Sequence, residues 1–181
     1  MLFADYVRMI RMHKGIDWTK QLGDEDLRFL EMRIESSGWY PMATFERLGN
    51  AILQEIAHED LQAVRMWGRL SVDQLCASSP QLLAEGDPVE TFMRFRVLRS
   101  TFFDFEALQI PTLAEDHAEV VIHYHMGNPA EEAASFQTMG FFERLLELSG
   151  GASIEAHFTE RSWAGDVRTL LALSWKSRAT R

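Results

Sequence analysis

The stretch NPAEEAASFQTMGFFERLLELSGGASIEAHFTERSWAGDVRTLLALSW, residues 128 to 175, decides the fold of this chain. Its first part, Asn128–Leu148, carries apolar residues at the spacing of an amphipathic helix. A Gly-Gly pair ends that helix, and Ala152–Arg161 and Val167–Trp175 then alternate as half-buried strands do. A third strand is predicted over Ala118–Met126, where β-branched and aromatic residues accumulate just before the helix.

Upstream of this stretch, helical patterns fill the first hundred residues. Asp24 and Asp87 are placed as N-caps, and Pro88 suits the first position of the helix that follows it. Leu108–Leu113 contains Pro111, which cannot donate a hydrogen bond to a neighbouring strand. This segment is therefore predicted to be at most an edge strand.

These elements predict an α+β fold in a single domain, residues 1–181. The mostly helical part, 1–105, forms an N-terminal bundle that packs on a small antiparallel sheet. The β-α-β-β part, 106–181, supplies a strand, the long helix and a closing hairpin. A chain of 181 residues with 46% hydrophobic composition is long enough to bury one core.

The composition excludes several classes of function. The formal net charge of −9 repels phosphate backbones and anionic lipid heads, so neither a nucleic acid nor a membrane is predicted as a partner. The sole cysteine, Cys76, allows no internal disulfide and no cysteine-based zinc site, and its role is left open. No apolar run approaches the ~20 residues of a membrane span, and no signal peptide is recognised. We therefore expect a cytoplasmic protein.

Three histidines form the sharpest chemical constellation. His123 and His125 alternate along the predicted third strand and would project from one of its faces. His157 lies on a strand expected to pair nearby, so three imidazoles could hold a metal ion, with Glu155 or Glu119 adding a carboxylate. The other interpretation is that the histidines cover the solvent face of an antiparallel sheet. We prefer the second interpretation, because every strand places alternate residues together.

Aromatic residues concentrate after Asp87. They indicate either ordinary core, which is the preferred interpretation, or the lining of an apolar pocket. Such a pocket is expected between the Asp87–Phe103 helix, the long helix and the sheet. Its candidate lining residues are Phe92, Phe95, Phe102, Phe103, Phe136 and Met139. The sequence has no phosphate loop, nucleophile elbow or metalloprotease motif, so no catalytic residue is assigned.

Three sets of residues carry a family resemblance. They are Trp39-Tyr40-Pro41 before the Phe45/Leu48 helix, Gly140-Phe141-Phe142 with Gly150-Gly151-Ala152, and the strand end Leu173-Ser174-Trp175. In this order they resemble the superfamily of heme–nitric-oxide-binding domains, vinyl-reductase-type ligand domains and TRAPP trafficking subunits. They also resemble a bacterial family of similar length. The resemblance covers roughly residues 38 to 175.

The resemblance implies a sensor or scaffold rather than a catalyst. Members bind small apolar molecules, heme or an acyl chain between helices and sheet, or act as partner-binding dimers. The heme branch holds propionates with a Tyr-x-Ser-x-Arg string, which does not occur here, and His58 and His117 lie at element boundaries rather than mid-helix. The sequence therefore predicts no cofactor and argues against heme. A single cysteine cannot supply the zinc site of the phenol-sensing branch.

Two functions from different classes follow. The leading hypothesis is a non-enzymatic small-molecule-sensing or protein-interaction domain in bacterial signalling. Its expected partners are an apolar small molecule and either a second copy of the chain or a signalling protein. The alternative is a metal-dependent enzyme that uses His123, His125 and His157.

Overall fold

Helices precede a four-stranded antiparallel sheet and, with α6, pack against it. The computed structural model describes residues 2–35 and 38–177. In that part of the chain the α-helices are α1 Leu2–Met12, α2 Asp24–Glu31, α3 Met42–Glu55, α4 Leu61–Ser78, α5 Pro88–Leu98 and α6 Ala130–Leu148. The strands are β1 Leu108–Leu113, β2 His117–Ile122, β3 Gly151–Glu160 and β4 Thr169–Ser177. The predicted α+β class is confirmed.

The sheet has the order β1-β2-β4-β3. β1 spans the predicted residues and lies at the edge of the sheet, where Pro111 is tolerated. β3 and β4 form the predicted closing hairpin, and β4 also pairs with β2 in the centre. Leu171 of β4 thus pairs with Val120 on one side and Phe158 on the other. This central position explains why Leu171 is fully buried.

β2 is shorter than predicted, because it ends at Ile122 rather than at Met126. His125 has a φ of 58°, in the left-handed region, which no regular strand contains. The buried carboxylate of Glu131 accepts hydrogen bonds from the backbone amides of Tyr124 and Met126, at 3.5 and 3.0 Å. These bonds replace those of a partner strand. The predicted strand is therefore wrong beyond Ile122, although the His123 and His125 side chains still lie on one side, as predicted.

Helices α4 and α6 cross with their backbones in contact. A Cβ on Gly68 would lie 1.8 Å from the carbonyl oxygen of Gln137, and a Cβ on Gly140 would lie 1.9 Å from that of Arg65. Only glycine at both positions permits this approach. The α6 helix packs against α4 on one side and against the sheet on the other. This explains why side chains such as Phe142 are fully buried.

Ion pairs border this helix crossing. Arg65 Nε donates to Oε2 of the buried Glu143 at 2.9 Å. Arg69 Nη2 donates to Glu147 Oε2 at 2.6 Å, and Arg144 Nη1 donates to the same oxygen at 3.2 Å. Burial acts to raise the pKa of Glu147, but the hydrogen bonds from the two arginines outweigh it and lower that pKa. Glu147 therefore favours its charged form in the folded protein.

We expect Glu147→Gln to flatten the acid side of the stability profile. A carboxyl whose pKa is lower in the folded state contributes stability above its unfolded pKa of 4.5 and loses that stability as the pH falls through the folded value. Urea denaturation between about pH 3 and pH 7 should show a steeper acid loss of unfolding free energy in the wild type than in the variant. Glu155→Gln, on an exposed position of β3, is the matched control. Equal acid slopes for wild type and Glu147→Gln would contradict the expectation.

The apolar side chains form two principal clusters. In the larger, which joins α5, α6 and the sheet, Phe92 stacks on Phe142 and Trp175 with ring centroids 5.3 and 5.9 Å apart. The smaller cluster joins α1, α2 and α3 around Val7 and Leu48. The helices thus give their apolar faces to these cores. None of the helices within residues 2–35 and 38–177 is long and apolar enough to cross a membrane.

Candidate functional site

A small apolar pocket lies where the N-terminal helices meet the α5–sheet half of the chain. This inner pocket has a volume of about 70 Å³. Its lining residues are Asp5, Tyr6, Phe45, Ser71, Leu75, Phe95, Phe102, Phe103, Leu108, Tyr124, Ala134, Gln137, Thr138 and Phe141. They come from five helices, from Phe102 and Phe103 after α5, from the start of β1 and from the segment after β2. The pocket borders the helices and sheet that the pocket interpretation of the sequence named, and residues of α1, α3 and α4 also line it.

The walls of the inner pocket are mainly aromatic. Phe95 is almost completely buried, and its ring centroid lies 5.3 Å from that of Phe141 and 6.3 Å from that of Phe102. Phe103 packs against Tyr124 with centroids 5.5 Å apart. Rings held in this way present apolar faces and edges to the space between them. The walls therefore favour a ligand with a flat or aliphatic body.

One end of the inner pocket is polar and faces α6. The Tyr6 hydroxyl donates to Gln137 Oε1 at 2.7 Å. Thr138 Oγ1 donates its hydrogen to the carbonyl oxygen of Ala134 at 2.9 Å, so the Tyr124 hydroxyl is the donor in its 2.6 Å bond with Thr138. Each phenol oxygen therefore keeps the capacity to accept a hydrogen bond.

The two phenols are uncharged at physiological pH. Burial raises the pKa of Tyr6 well above its usual value, and the nearby Tyr124 and Asp5 raise it further. Burial also raises the pKa of Tyr124, although the Thr138 hydrogen bond acts in the opposite direction. The polar end can thus bind a neutral polar group of a ligand without the cost of burying a charge.

The structure divides the six predicted pocket residues into two groups. Phe95, Phe102 and Phe103 line the inner pocket. The other three lie elsewhere. Phe92 and Met139 belong to the large core cluster, and Phe136 packs against Phe158 with ring centroids 5.4 Å apart. These last three pack against other side chains and do not line the inner pocket.

The stripe of α6 that faces the inner pocket is not its most hydrophobic one. It consists of Ala134, Gln137, Thr138 and Phe141, which are spaced as neighbours on one helix face. Selecting large apolar residues gave Phe136 and Met139 instead. The helical spacing from Phe141 was the signal in the sequence that could have identified the polar members of the stripe.

The N-terminal lining residues were missed for a different reason. Tyr6, Phe45 and Leu75 belong to three separate helices and show no common local pattern. Each has the apolar character and spacing of an ordinary core residue. Only the packing of the helices brings them together, so the sequence alone could not distinguish them from core.

The structure does not bring the three predicted metal-binding histidines together. The rings of His123 and His125 stack with centroids 5.8 Å apart. His157 pairs with Ala172 of β4, and Ala172 pairs with Glu119 of β2. His157 therefore lies across the sheet from Glu119, and Glu119 is four residues, or roughly 13 Å, from His123 along the chain. Among the described residues, no group of three or more His, Cys, Asp or Glu side chains is placed to hold a metal ion.

Comparison with solved structures relates this fold to H-NOX proteins. The chain is similar to a K. algicida H-NOX protein in the Fe(II) unliganded state, with a TM-score of 0.68 and 12% identity over 99% of this chain and 97% of that one. It is also similar to an oxygen-binding H-NOX domain related to soluble guanylate cyclases, with a TM-score of 0.61 and 14% identity over 99% and 95%. A structure from work on heme distortion in the H-NOX family gives a TM-score of 0.63 and 13% identity over 99% and 96%. No protein-family model and no curated relative matches by sequence.

The shared fold confirms the resemblance to heme–nitric-oxide-binding domains and extends it from residues 38–175 to nearly the whole chain. It also corrects the prediction of no cofactor and the argument against heme. That prediction rested on a missing motif: none of the three tyrosines, Tyr6, Tyr40 and Tyr124, begins a Tyr-x-Ser-x-Arg string. The chain nevertheless has the fold of these heme domains. Heme is therefore the cofactor that the fold implies.

Proposed function

We propose that this chain is a non-enzymatic small-molecule-sensing domain of bacterial signalling, with the inner pocket as its ligand site and heme as the first ligand to test. The observation that carries the proposal is an apolar pocket between helices and sheet in a chain that is similar in fold to an H-NOX protein over 99% of its length. One of the similar structures is an oxygen complex. We extend the binding of small molecules from those proteins to this one.

The position of the inner pocket suits a sensor. Its lining joins α1 and α3 to α6 and to the segment after β2, so a ligand contacts both halves of the chain at once. A ligand shifts a conformational equilibrium only as far as it interacts differently with the two states. Binding here would change the packing of the N-terminal helices on α6, which is a difference that a partner protein could recognise.

Heme agrees with the apolar walls but not with the other features of the inner pocket. Among the described residues, the lining contains no histidine, cysteine or methionine to bind iron, and its oxygen ligands for a ferric ion would be Tyr6 and Tyr124. A volume of about 70 Å³ is also well below the ~300–1,000 Å³ of typical ligand sites. As arranged in this structure, the residues do not fit a heme held by an iron–histidine bond. Any ligand of that size requires the pocket to widen.

The lining residues have separate roles toward a ligand. Phe95, Phe102 and Phe141 exclude water and contact the apolar body. Tyr6 and Tyr124 bind a polar group at the α6 end through their hydroxyl oxygens. No proton transfer is assigned to either phenol, because both pKa values are raised far from neutrality.

We expect Ala134→Leu to weaken ligand binding at least about tenfold. Ala134 lines the inner pocket on α6, and an added isopropyl group would fill much of its small volume. The measurements are titrations of the purified protein with hemin, followed by absorbance, and with the fluorescent fatty acid cis-parinaric acid, followed by emission. Saturable binding of at least one of them is expected for the wild type. Ala77→Leu makes the same change at an exposed position of α4 and should bind as the wild type does. The proposal fails if the wild type binds neither hemin nor a fatty acid, or if Ala134→Leu binds as tightly as Ala77→Leu.

A further inference from the structure

A second space adjoins the inner pocket on the α5 side. It is an open groove of about 470 Å³, here named the arginine groove, lined among others by Trp39, Arg96, Arg99, Phe103, Glu106 and Leu108. Phe103 and Leu108 also line the inner pocket. These two side chains therefore form the partition between groove and pocket. Movement of the Phe103 ring would join the two spaces into one.

The arginine groove presents two guanidinium groups beside aromatic rings. Arg96 and Arg99 are partly exposed and lie one helical turn apart. Each is held by the backbone of β1: Arg96 Nη2 donates to the carbonyl oxygen of Ile110 at 2.5 Å, and Arg99 Nη1 donates to that of Leu108 at 2.7 Å. Arg99 Nε is buried and has no acceptor among the described residues. A guanidinium has five N–H donors, so both side chains can bind a further acceptor.

The arginine groove already holds one carboxylate. Glu106 Oε1 accepts hydrogen bonds from Arg99 Nη1 and Nη2 at 3.2 and 3.1 Å. Glu106 is 55% exposed, so this is a solvent-screened pair that a competing carboxylate can replace at small cost. Asp104 is the other acidic residue of the groove. The local charge is therefore balanced in the free protein, and the arginines are placed for a carboxylate.

We propose that the ligand is an amphipathic carboxylic acid, with its carboxylate on Arg96 and Arg99 and its apolar body extending past Phe103 into the inner pocket. This inference rests on the proposed function and specifies the chemical class of the ligand. Planar guanidinium groups bind carboxylates through paired hydrogen bonds, which gives both affinity and orientation. Phe103, at the boundary between the groove and the inner pocket, supplies an apolar surface for the body of such an acid.

Two sources could supply this chemistry: a porphyrin with its propionates, or a fatty acid. The probes are hemin and its dimethyl ester, and cis-parinaric acid and its methyl ester. Each ester keeps the apolar body and removes the negative charge. We expect the acid of at least one pair to bind about tenfold more tightly than its ester, as is typical of a charge-assisted hydrogen bond. The pair that shows this difference identifies the source.

Three variants test whether the arginines cause this difference. Arg96→Gln and Arg99→Gln should each reduce the preference for acid over ester by several-fold. Glu106→Gln removes the competing carboxylate at an exposed position and should increase the preference for acid over ester. This third variant keeps the test decisive if Arg99→Gln does not fold, because Arg99 also ties α5 to β1.

Equal binding of acid and ester by the wild type would overturn the inference and leave the proposed ligand site intact. An unchanged preference in both Glu106→Gln and Arg96→Gln would also overturn it, because the charge would then be recognised elsewhere. If none of the four probes binds, this inference and the proposed function both fail. A preference for acid over ester that falls in the two arginine variants and rises in Glu106→Gln would establish that Arg96 and Arg99 bind the carboxylate.

Discussion

Gly140→Ala is expected to lower the free energy of unfolding by about 3 kcal/mol or more, or to prevent folding. The new Cβ would lie 1.9 Å from the carbonyl oxygen of Arg65, far inside van der Waals contact. That oxygen belongs to the backbone of α4, which cannot move aside as a flexible side chain would. Gly68 of α4 lies equally close to the carbonyl oxygen of Gln137 on α6. Because the helices touch at two points, they cannot relieve the clash at Gly140 by a local shift.

Urea denaturation followed by circular dichroism measures this loss. Gly15→Ala is the matched control, because a Cβ there meets no atom within 4 Å and Gly15 does not have a positive φ. We expect that control to be neutral or slightly stabilising. A Gly140→Ala protein within about 1 kcal/mol of the wild type would show that the helices are not in backbone contact.

The same helix crossing fixes the dimensions of the inner pocket. Ser71 and Leu75 follow Gly68 on α4, and Gln137 and Phe141 flank Gly140 on α6. The distance between the two helices therefore determines how far these lining residues stand apart. In our proposal, a ligand larger than the present cavity extends to the other side, where Phe103 borders the arginine groove. The stability of the fold thus depends on the α4–α6 wall of the inner pocket, and the size of the ligand that it can bind depends on the Phe103 wall.

Local pattern was sufficient to predict the elements that carry the fold. α6 begins at Ala130, close to the predicted Asn128, and ends at the predicted Leu148. β1 coincides with its predicted span, and its edge position follows from Pro111. Periodicity and proline chemistry act within a few residues, so one sequence records them. The end of β2 was missed because Glu131, later in the chain, binds its last amides.

The candidate site could be predicted only in part, because it depends on contacts between distant segments. Phe95, Phe102 and Phe103, which line the inner pocket, could be proposed from the sequence because they are aromatic and close together, whereas Tyr6 reaches Gln137 across 131 residues. The cofactor was misjudged for a related reason. A heme motif consists of few residues, while the fold depends on many packing positions such as Gly140. A chain that lacks the heme motif can therefore still have the same fold.

Arg47→Met is expected to lower the free energy of unfolding by about 3 kcal/mol. Arg47 Nε and Nη2 each donate to one oxygen of Asp26 at 2.8 Å, and the Asp26 side chain is almost completely buried. The methionine keeps the aliphatic stem but leaves a buried carboxylate without its cation, which is the costly way to break such a pair. We place the loss at the lower end of the range for buried pairs because the Arg47 side chain is 39% exposed.

The double variant Asp26→Leu/Arg47→Met separates the cost of leaving the Asp26 carboxylate unpaired from the cost of losing the ion pair itself. If the loss arises mainly from the orphaned charge, removal of Asp26 as well should recover most of the stability, because an apolar pair of similar volume is often neutral. Arg33→Met is the matched control, since Arg33 and its partner Glu35 are 86% and 60% exposed and such pairs contribute less than about 1 kcal/mol. Urea denaturation of the four proteins gives the comparison. Equal losses in Arg47→Met and Arg33→Met would mean that the Asp26 carboxylate is solvated rather than buried beneath α3.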